Sequence, residues 1–460
     1  MTDHSQIHDL LTKQREYFLA GNTQSLKERL HNLEKLKDLL IKNENRIAEA
    51  VYNDFGKSFY EVRSNELGIV YDEISRIKRK LKRWSKGEKK LTGLLNLPGK
   101  SRVYRVPLGN VLVISPWNYP VQLALMPIVS ALAAGNTVLL KPSEITEHTS
   151  TLLAELLGNE FPEELLAVRN GGVEVTSEIL KHRFDKIFFT GSTRVGRIIM
   201  KAAAEHLTPV TLELGGKNPA IVLPDCNIRM TARRLVWGKF HNGGQACVAP
   251  DHIYVHEDIR EKLVDELKQA VNRMFRGDPA ASGMLPKIIN KQGFQRLSGY
   301  IDRDKVVAGG ELKEEERYIE PTILTDITKD DPVMQDEIFG PLMPLLTFDN
   351  LDSLLDQLKK EESPLAFYIY TSNIRLATRI QREFRSGGGM INDNVMHFIN
   401  GTTPFGGVGA SGMGQYHGRA GFECFSHQKT VITKPTWFEL WLKYAPYTSG
   451  KLKLVRFFLK

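Results

Sequence analysis

The amino-acid sequence predicts an α/β fold built from two consecutive parallel-sheet modules. Three observations carry that expectation. Short β-rich runs alternate with helical periods from residue 101, as they do in βαβ units. The alternation restarts after residue 212. The 460 residues, 42% apolar and 25% charged, suit two or three packed domains rather than a disordered chain.

The first fifty residues place Leu26, Leu30, Leu33, Leu36, Leu40, Ile47 and Val51 on a helical period, so the chain opens with amphipathic helices. Nine of the fifteen residues from Arg76 to Lys90 are Lys or Arg, above Ile74, Ile77, Leu81 and Trp84 at helical spacing. That pattern predicts an amphipathic helix whose basic face is solvated or touches acidic lipid or nucleic acid. The first module then reads as VLVIS at 111–115, a helix from Pro120, TVLLK at 137–141, a helix near 147–157, KIFFT at 186–190 and a helix near 193–204. After VTLELGG at 210–216 the second reads as PAIVL, a helix across 227–240, HIYVH at 252–256 and a helix at 258–275. AFYIY at 366–370, a helix near 374–384 and GMIN at 389–392 continue it. A ligand is expected in the crevice between the modules. The basic helix, the 91–106 segment and the tail fall outside both and suggest a bridging element. The tail from Lys434 holds six basic residues, one acid and Trp437, Phe438, Leu440, Trp441 and Tyr444, which fits cover for a partner subunit better than a bilayer anchor.

Other classes are disfavoured. The longest mostly apolar stretch, Val121 to Ala134, is about fourteen residues, whereas a membrane-spanning helix needs ~20. The N-terminus lacks a secretory pattern, so a cytoplasmic location is expected. Cys226, Cys247 and Cys424 form neither a disulfide framework nor a zinc pattern. The excess of basic over acidic residues, 62 − 54 = +8, selects no partner by itself.

Several motifs carry chemistry. HNGGQACVAP at 241–250 sets Cys247 on a Gly-rich stretch between a helix and a strand, where a thiol can be a nucleophile because such chemistry needs access and nearby donors. Cys226 and Cys424 look structural. Glu213 in LELGGKNP and Glu337 in QDEIFGP are each a general base or a hydrogen-bonded structural carboxylate. Asn118 in SPWNYP is an oxyanion donor or a turn residue. In FFTGSTRVG, Gly191 and Ser192 stand where a strand gives way to a helix, as a phosphate-binding turn or a simple N-cap. Lys141 and Glu144 follow the strand TVLLK, facing a nucleotide ribose or lying in a surface loop. The one literal GxGxxG, Gly407 to Gly412, follows Pro404 instead of a strand and reads as a close-packed turn.

Taken together, PWNYP (116–120), KPSE (141–144), FTGSTRVG (189–196), LELGGKNP (212–219), GGQACVAP (243–250), EIFGP (337–341) and PFGGVGASGMG (404–414) resemble the aldehyde dehydrogenase superfamily. Tyr119 after Asn118 and the ending SGMGQYHGRAGFECFSH resemble its class-3 branch, which takes fatty or aromatic aldehydes. The resemblance implies an aldehyde dehydrogenase-type α/β fold with two Rossmann-like domains: an NAD(P)-binding domain over 1–85 and 106–212, and a catalytic domain over 213–400. An oligomerisation segment over 86–105 and 401–460 completes it.

It also implies Cys247 as nucleophile, Glu213 as general base and Asn118 as oxyanion donor, with Glu337 a second candidate base. Lys141, Glu144, Gly191, Ser192, Gly196, Glu337 and Phe339 would hold the cofactor, and Tyr119, Trp237, Phe405 and His417 would line the substrate tunnel. The expected cofactor is NAD because of Glu144, with NADP also accepted. The expected partners are a small aldehyde and a second copy of the chain, with no nucleic acid and no metal. Two departures stand out. Residue 246 is Ala, where many relatives have Thr or another residue, and the apolar anchor of the branch's membrane-bound members is not recognisable in the tail, which leaves a soluble or peripheral enzyme. Three rival readings remain: a CoA-acylating enzyme, against which Glu213 argues; a cysteine hydrolase using His241, which leaves the nucleotide motifs unexplained; and a catalytically silent protein.

Overall fold

The computed structural model describes residues 4–459. Two large sheets form its centre. The first has six strands, in the spatial order 412–413, 210–213, 186–190, 110–114, 137–141 and 166–168. All run parallel except the short 412–413 edge. The second has seven, ordered 306–308, 322–324, 342–348, 252–256, 219–222, 366–370 and 388–391, again parallel apart from the first. The chain crosses from one sheet to the other between Glu213 and Pro219. LELGGKNP is thereby brought to the carboxyl edge of the first sheet, where open α/β sheets hold ligands.

The helix Gln122–Ala134 is apolar on every side and is buried along its whole length, as such a composition requires. It packs against the helices Leu26–Lys42, Gly68–Ser85 and Gly418–Cys424. The helix Gly68–Ser85 hides Ile74, Ile77 and Leu81 completely. It ends at Ser85, short of the whole basic run, because Gly87 takes a left-handed φ of +74°, and Glu88–Lys90 become a strand. That strand pairs with Lys100–Pro107, which pairs in turn with Ser426–Thr433, all antiparallel. The return of the chain at 426–433 thus joins the 88–107 region to the C-terminal segment in a third small sheet.

The strand Leu342–Phe348 lies inside the second sheet although it contains Pro344. Periodicity does not announce it, because proline cannot donate to a ladder and so argues against an interior strand. The tail forms a short turn at Trp441–Lys443 and a helix at Ser449–Phe458 that buries none of its residues. Among the described residues no helix is long and apolar enough to cross a membrane.

Candidate active site

A cleft of about 260 Å³ opens where the two sheets meet, and Asn118, Gly191, Ser192, Glu213, Cys247, Glu337 and Phe339 all line it. On its inner side Cys247 and Leu123 also border a narrow, mostly apolar chamber that includes Tyr119 and Trp237. Residues far apart in sequence are therefore gathered around one sulfur atom.

Backbone geometry presents that sulfur. Asn242, Gly243 and Gly244 take left-handed φ values of 53°, 63° and 73°, which turn the chain sharply after the helix Ile228–Phe240. A Cβ at Gly244 would overlap the Gly340 carbonyl, so only glycine lets the thiol loop approach the 337–341 loop so closely. The Asn218 amide clamps the thiol loop by donating to Cys247 O at 2.7 Å and Ala249 O at 2.9 Å. Its own Oδ1 accepts from the N–H of Ala366 at 2.8 Å.

The Asn118 side chain donates to Gln245 O at 3.0 Å, which fixes it beside the thiol loop. Its carbonyl accepts from Lys57 Nζ at 3.0 Å and Asn242 Nδ2 at 3.1 Å. Lys57 is fully buried, pairs with equally buried Glu66 at 2.8 Å and lies 4.1 Å from the centroid of the Tyr119 ring.

Two carboxyl groups face the thiol. Glu213 ends a strand, is 3% exposed, and neither of its oxygens has a hydrogen-bond partner. Burial without compensation pushes its pKa well above the usual carboxylate range. Glu337 is pushed up to about 8, by burial first and then by the charge of Asp251. A Cβ at Gly215 would overlap the Glu337 carboxylate. The loop carrying Glu337 is pinned by Asp251 Oδ1, which accepts from Ile338 N at 2.8 Å. Lys217 Nζ bridges Asp251 Oδ2 and Asp336 O, each at 2.7 Å. Burial, then Glu337 and Glu213, push the Cys247 thiol up to about 12. At neutral pH a thiol so raised is protonated, with both raised carboxyl groups beside it.

The nucleotide side is also legible. Ser192 does act as an N-cap, its Oγ accepting from Val195 N at 3.4 Å, while the same turn lines the cleft. Gly191 N donates to Glu213 O at 3.0 Å. Gly196 is buried one turn into the helix, where a Cβ would meet Leu214 Cδ2 at 2.8 Å. Its part is to let the helix sit on that leucine, and it does not line the cleft. Lys141 ends its strand buried, donating to Pro142 O at 2.7 Å and pairing with half-exposed Glu144 at 3.2 Å. That pair lies outside the cleft lining, farther along the carboxyl edge of the same sheet. A helix N-terminus, a cleft and a lysine–carboxylate pair along one sheet edge fit the phosphates and ribose of a dinucleotide. Phe339 has a left-handed φ of 48° and packs edge-on to Trp117 at 5.4 Å. The glycines of 407–412 form the expected turn, with Gly412 paired to Glu213.

Two of the expected substrate residues lie outside the chamber lining. Phe405 and His417 do not border the chamber. They stack on each other at 5.5 Å behind Phe398, whose ring is 5.4 Å from both. The turn Met396–Ile399 is the cause, because it places Phe398 and Ile399 in the wall ahead of them. Sequence reasoning missed these two residues, as well as Ile69, Gln122 and the Lys57–Glu66 pair, none of which sits in a motif. Asn218, by contrast, lies within LELGGKNP and was available to it. His241 also borders the chamber. Its Nδ1 lies 3.2 Å from Trp237 O and 3.1 Å from Gly238 O. Burial lowers its pKa to about 4, which makes it a poor base for the hydrolase reading. Among the described residues no group of three or more His, Cys, Asp or Glu could hold a metal ion.

Comparison with known proteins identifies the family. The model of the aldehyde dehydrogenase family matches residues 1–431. Aldehyde dehydrogenase family 3 member B1 of Rattus norvegicus is 42% identical over 451 residues, 98% of this chain and 96% of that protein. The rat protein named aldehyde dehydrogenase, dimeric NADP-preferring, is 43% identical over 94% of this chain and 95% of its own. The solved structure described as the substrate-bound state of Staphylococcus aureus AldH superimposes with a TM-score of 0.96 at 39% identity, covering 99% of both chains.

Proposed function

Because the chain belongs to the aldehyde dehydrogenase family and is an NAD(P)-dependent oxidoreductase acting on aldehydes, we propose that it converts apolar aliphatic or aromatic aldehydes to carboxylic acids through an adduct on Cys247. The observation that carries this reading is the convergence of Cys247, Asn118, Glu213 and Glu337 on one cleft, with an apolar chamber on the other side of the sulfur.

The thiol proton passes to a facing carboxylate, and Sγ attacks the aldehyde carbon. The negative charge that develops on the aldehyde oxygen is met by the Asn118 amide and the Cys247 N–H, and losing one such donor costs ~10²–10³ in rate. The turn at Gly191 and Ser192 and the Lys141–Glu144 pair would hold a nicotinamide dinucleotide, which when bound would supply the hydride acceptor that the adduct needs to become a thioester on Cys247. Glu213, or Glu337 in its place, then removes a proton from water as the water attacks the thioester carbon. The acid departs and the thiol is restored. Glu337, lifted to about 8, suits that role because a base held near the working pH can accept a proton and return it, and burial raises Glu213 in the same direction.

For the cofactor, Glu144 beside Lys141 favours NAD, since a carboxylate accepts from a ribose 2′-OH and repels a 2′-phosphate. NADP is the slower alternative, and the rat relative's name assigns that preference to the relative. The exposed strand Ser426–Thr433 and the aromatic tail support a homodimer.

The test is production of A340 by purified protein over short, long and aromatic aldehydes, with NAD and NADP separately. Activity should be greatest with apolar aldehydes and should vanish in Cys247→Ser. No A340 with any aldehyde would overturn the reading, and acyl-CoA as the main product after CoA addition would overturn the hydrolytic step.

A further inference from the structure

Gln122 has no packing reason to be where it is. It opens the first turn of the apolar helix that it shares with Leu123, Leu125 and Met126, and it borders the same chamber as Cys247. Its side chain is fully enclosed, and neither Nε2 nor Oε1 has a hydrogen-bond partner. Its main-chain N–H, in contrast, is satisfied by Glu66 Oε2 at 3.2 Å, as is that of Val121 at 2.8 Å. The surrounding wall is mostly apolar, with Ile69, Leu123, Val248, Phe398 and Ile399 beside Trp237, and it also carries Asn65, Tyr119 and His241. Among the described wall residues only Gln122 has all of its side-chain polar atoms buried and unpartnered. A leucine or methionine would fill the space without leaving an amide unpaired, and an unpaired buried amide is destabilising.

We propose that Gln122 is a specificity-determining residue whose amide hydrogen-bonds a neutral oxygen substituent on the body of the aldehyde. The proposal rests on the dehydrogenase reading given above and names the substrate class more closely. A hydroxyl group suits the site best, because the amide can donate and accept at once and a hydroxyl can do the same. A carboxylate substituent does not suit it. The buried cation Lys57, whose partner Glu66 also holds the Gln122 N–H, is already committed to Glu66, to the Asn118 carbonyl and to the Tyr119 ring. The aldehyde oxygen itself belongs at Asn118, so the group that meets Gln122 lies farther along the substrate.

The experiment compares kcat/KM for straight-chain alkanals with and without a hydroxyl group, moved along the chain from the third carbon, in wild type, Gln122→Leu and Gln122→Met. Wild type should favour the hydroxylated member at one position by about tenfold, the scale of one buried hydrogen bond, and both variants should bring that ratio to about one. Equal ratios in wild type and variants, at every position, overturn the proposal. The melting temperature without substrate is a second readout. It should rise in Gln122→Leu or Gln122→Met as the unpaired amide is removed, and a fall in both would show that the amide already has a partner and overturn the proposal. If wild type oxidises no aldehyde at all, the dehydrogenase reading itself fails, which is a different result from equal ratios among active enzymes.

Discussion

The buried pair Lys57–Glu66 offers the sharpest test of how the site is held. Neither side chain is exposed, and the ammonium lies 2.8 Å from Glu66 Oε1. It also lies 3.0 Å from the Asn118 carbonyl and 4.1 Å from the Tyr119 ring centroid. Lys57→Met keeps most of the side-chain volume and removes the charge, leaving a buried carboxylate. Breaking one side of such a pair costs ~3–5 kcal/mol. Glu66 Oε2 still accepts two N–H groups, from Val121 at 2.8 Å and Gln122 at 3.2 Å. That places the loss near the lower end, about 3 kcal/mol, or roughly 5 °C in Tm. Asn118 would keep Asn242 Nδ2 on its carbonyl at 3.1 Å, so its turn is loosened rather than lost, and kcat should fall on the order of tenfold. Lys57→Met with Glu66→Gln removes both charges and should recover most of the stability, because an absent pair is far less costly than a broken one. Calorimetry of the three proteins, with steady-state kinetics, is the assay. A Tm unchanged by Lys57→Met, or a double variant no more stable than the single one, would refute the reasoning.

Three further outcomes are expected. Glu337 has a folded-state pKa of about 8 against an ordinary 4.5, so its contribution to stability is complete below about pH 4.5 and is lost as pH rises toward 8. Wild type should therefore lose more Tm than Glu337→Gln between pH 5 and 8, and parallel curves from scanning calorimetry would contradict this. Asn218→Ala leaves two carbonyls and one N–H of the core without their partner, each costing about 1–3 kcal/mol. Its denaturation midpoint should drop sharply, Asn218→Asp should not restore it because a carboxylate cannot donate, and a wild-type midpoint would remove the clamp from the account. Glu144→Gln should raise the NADP to NAD ratio of kcat/KM by about tenfold, as a repulsive charge is removed from the 2′-phosphate, and an unchanged ratio would count against Glu144 facing the ribose.

Much of this arrangement was legible because it is local. Apolar spacing in 26–51 and 74–84 marked amphipathic helices. KIFFT followed by GST marked a strand yielding to a helix, and Ser192 does cap that helix. The Gly-rich run before Cys247 marked an unusual turn, and its left-handed backbone is what presents the thiol. Where reading along the chain failed, the deciding quantity was not local. Phe398 and Phe405 are both aromatic residues of the same segment, yet only the first reaches the chamber, because the turn Met396–Ile399 decides which ring is in front. Pro344 hid an interior strand because its missing N–H signals an edge, whereas the actual neighbours hold the strand in place.

By itself, then, the sequence determined the α/β alternation and, through the shared order of the motifs that hold Cys247, Glu213 and Asn118, the family. Only the tertiary structure decided that Lys57 pins Asn118, that Glu213 is buried without a partner, that Glu337 is lifted to about 8 and that Gln122 borders the chamber with its amide unpartnered. Periodicity and capping depend on residues a few positions apart, so one segment is enough to reveal them. Burial, charge proximity and chamber shape are sums over segments more than a hundred residues distant, and they exist only once both sheets have closed on the same cleft.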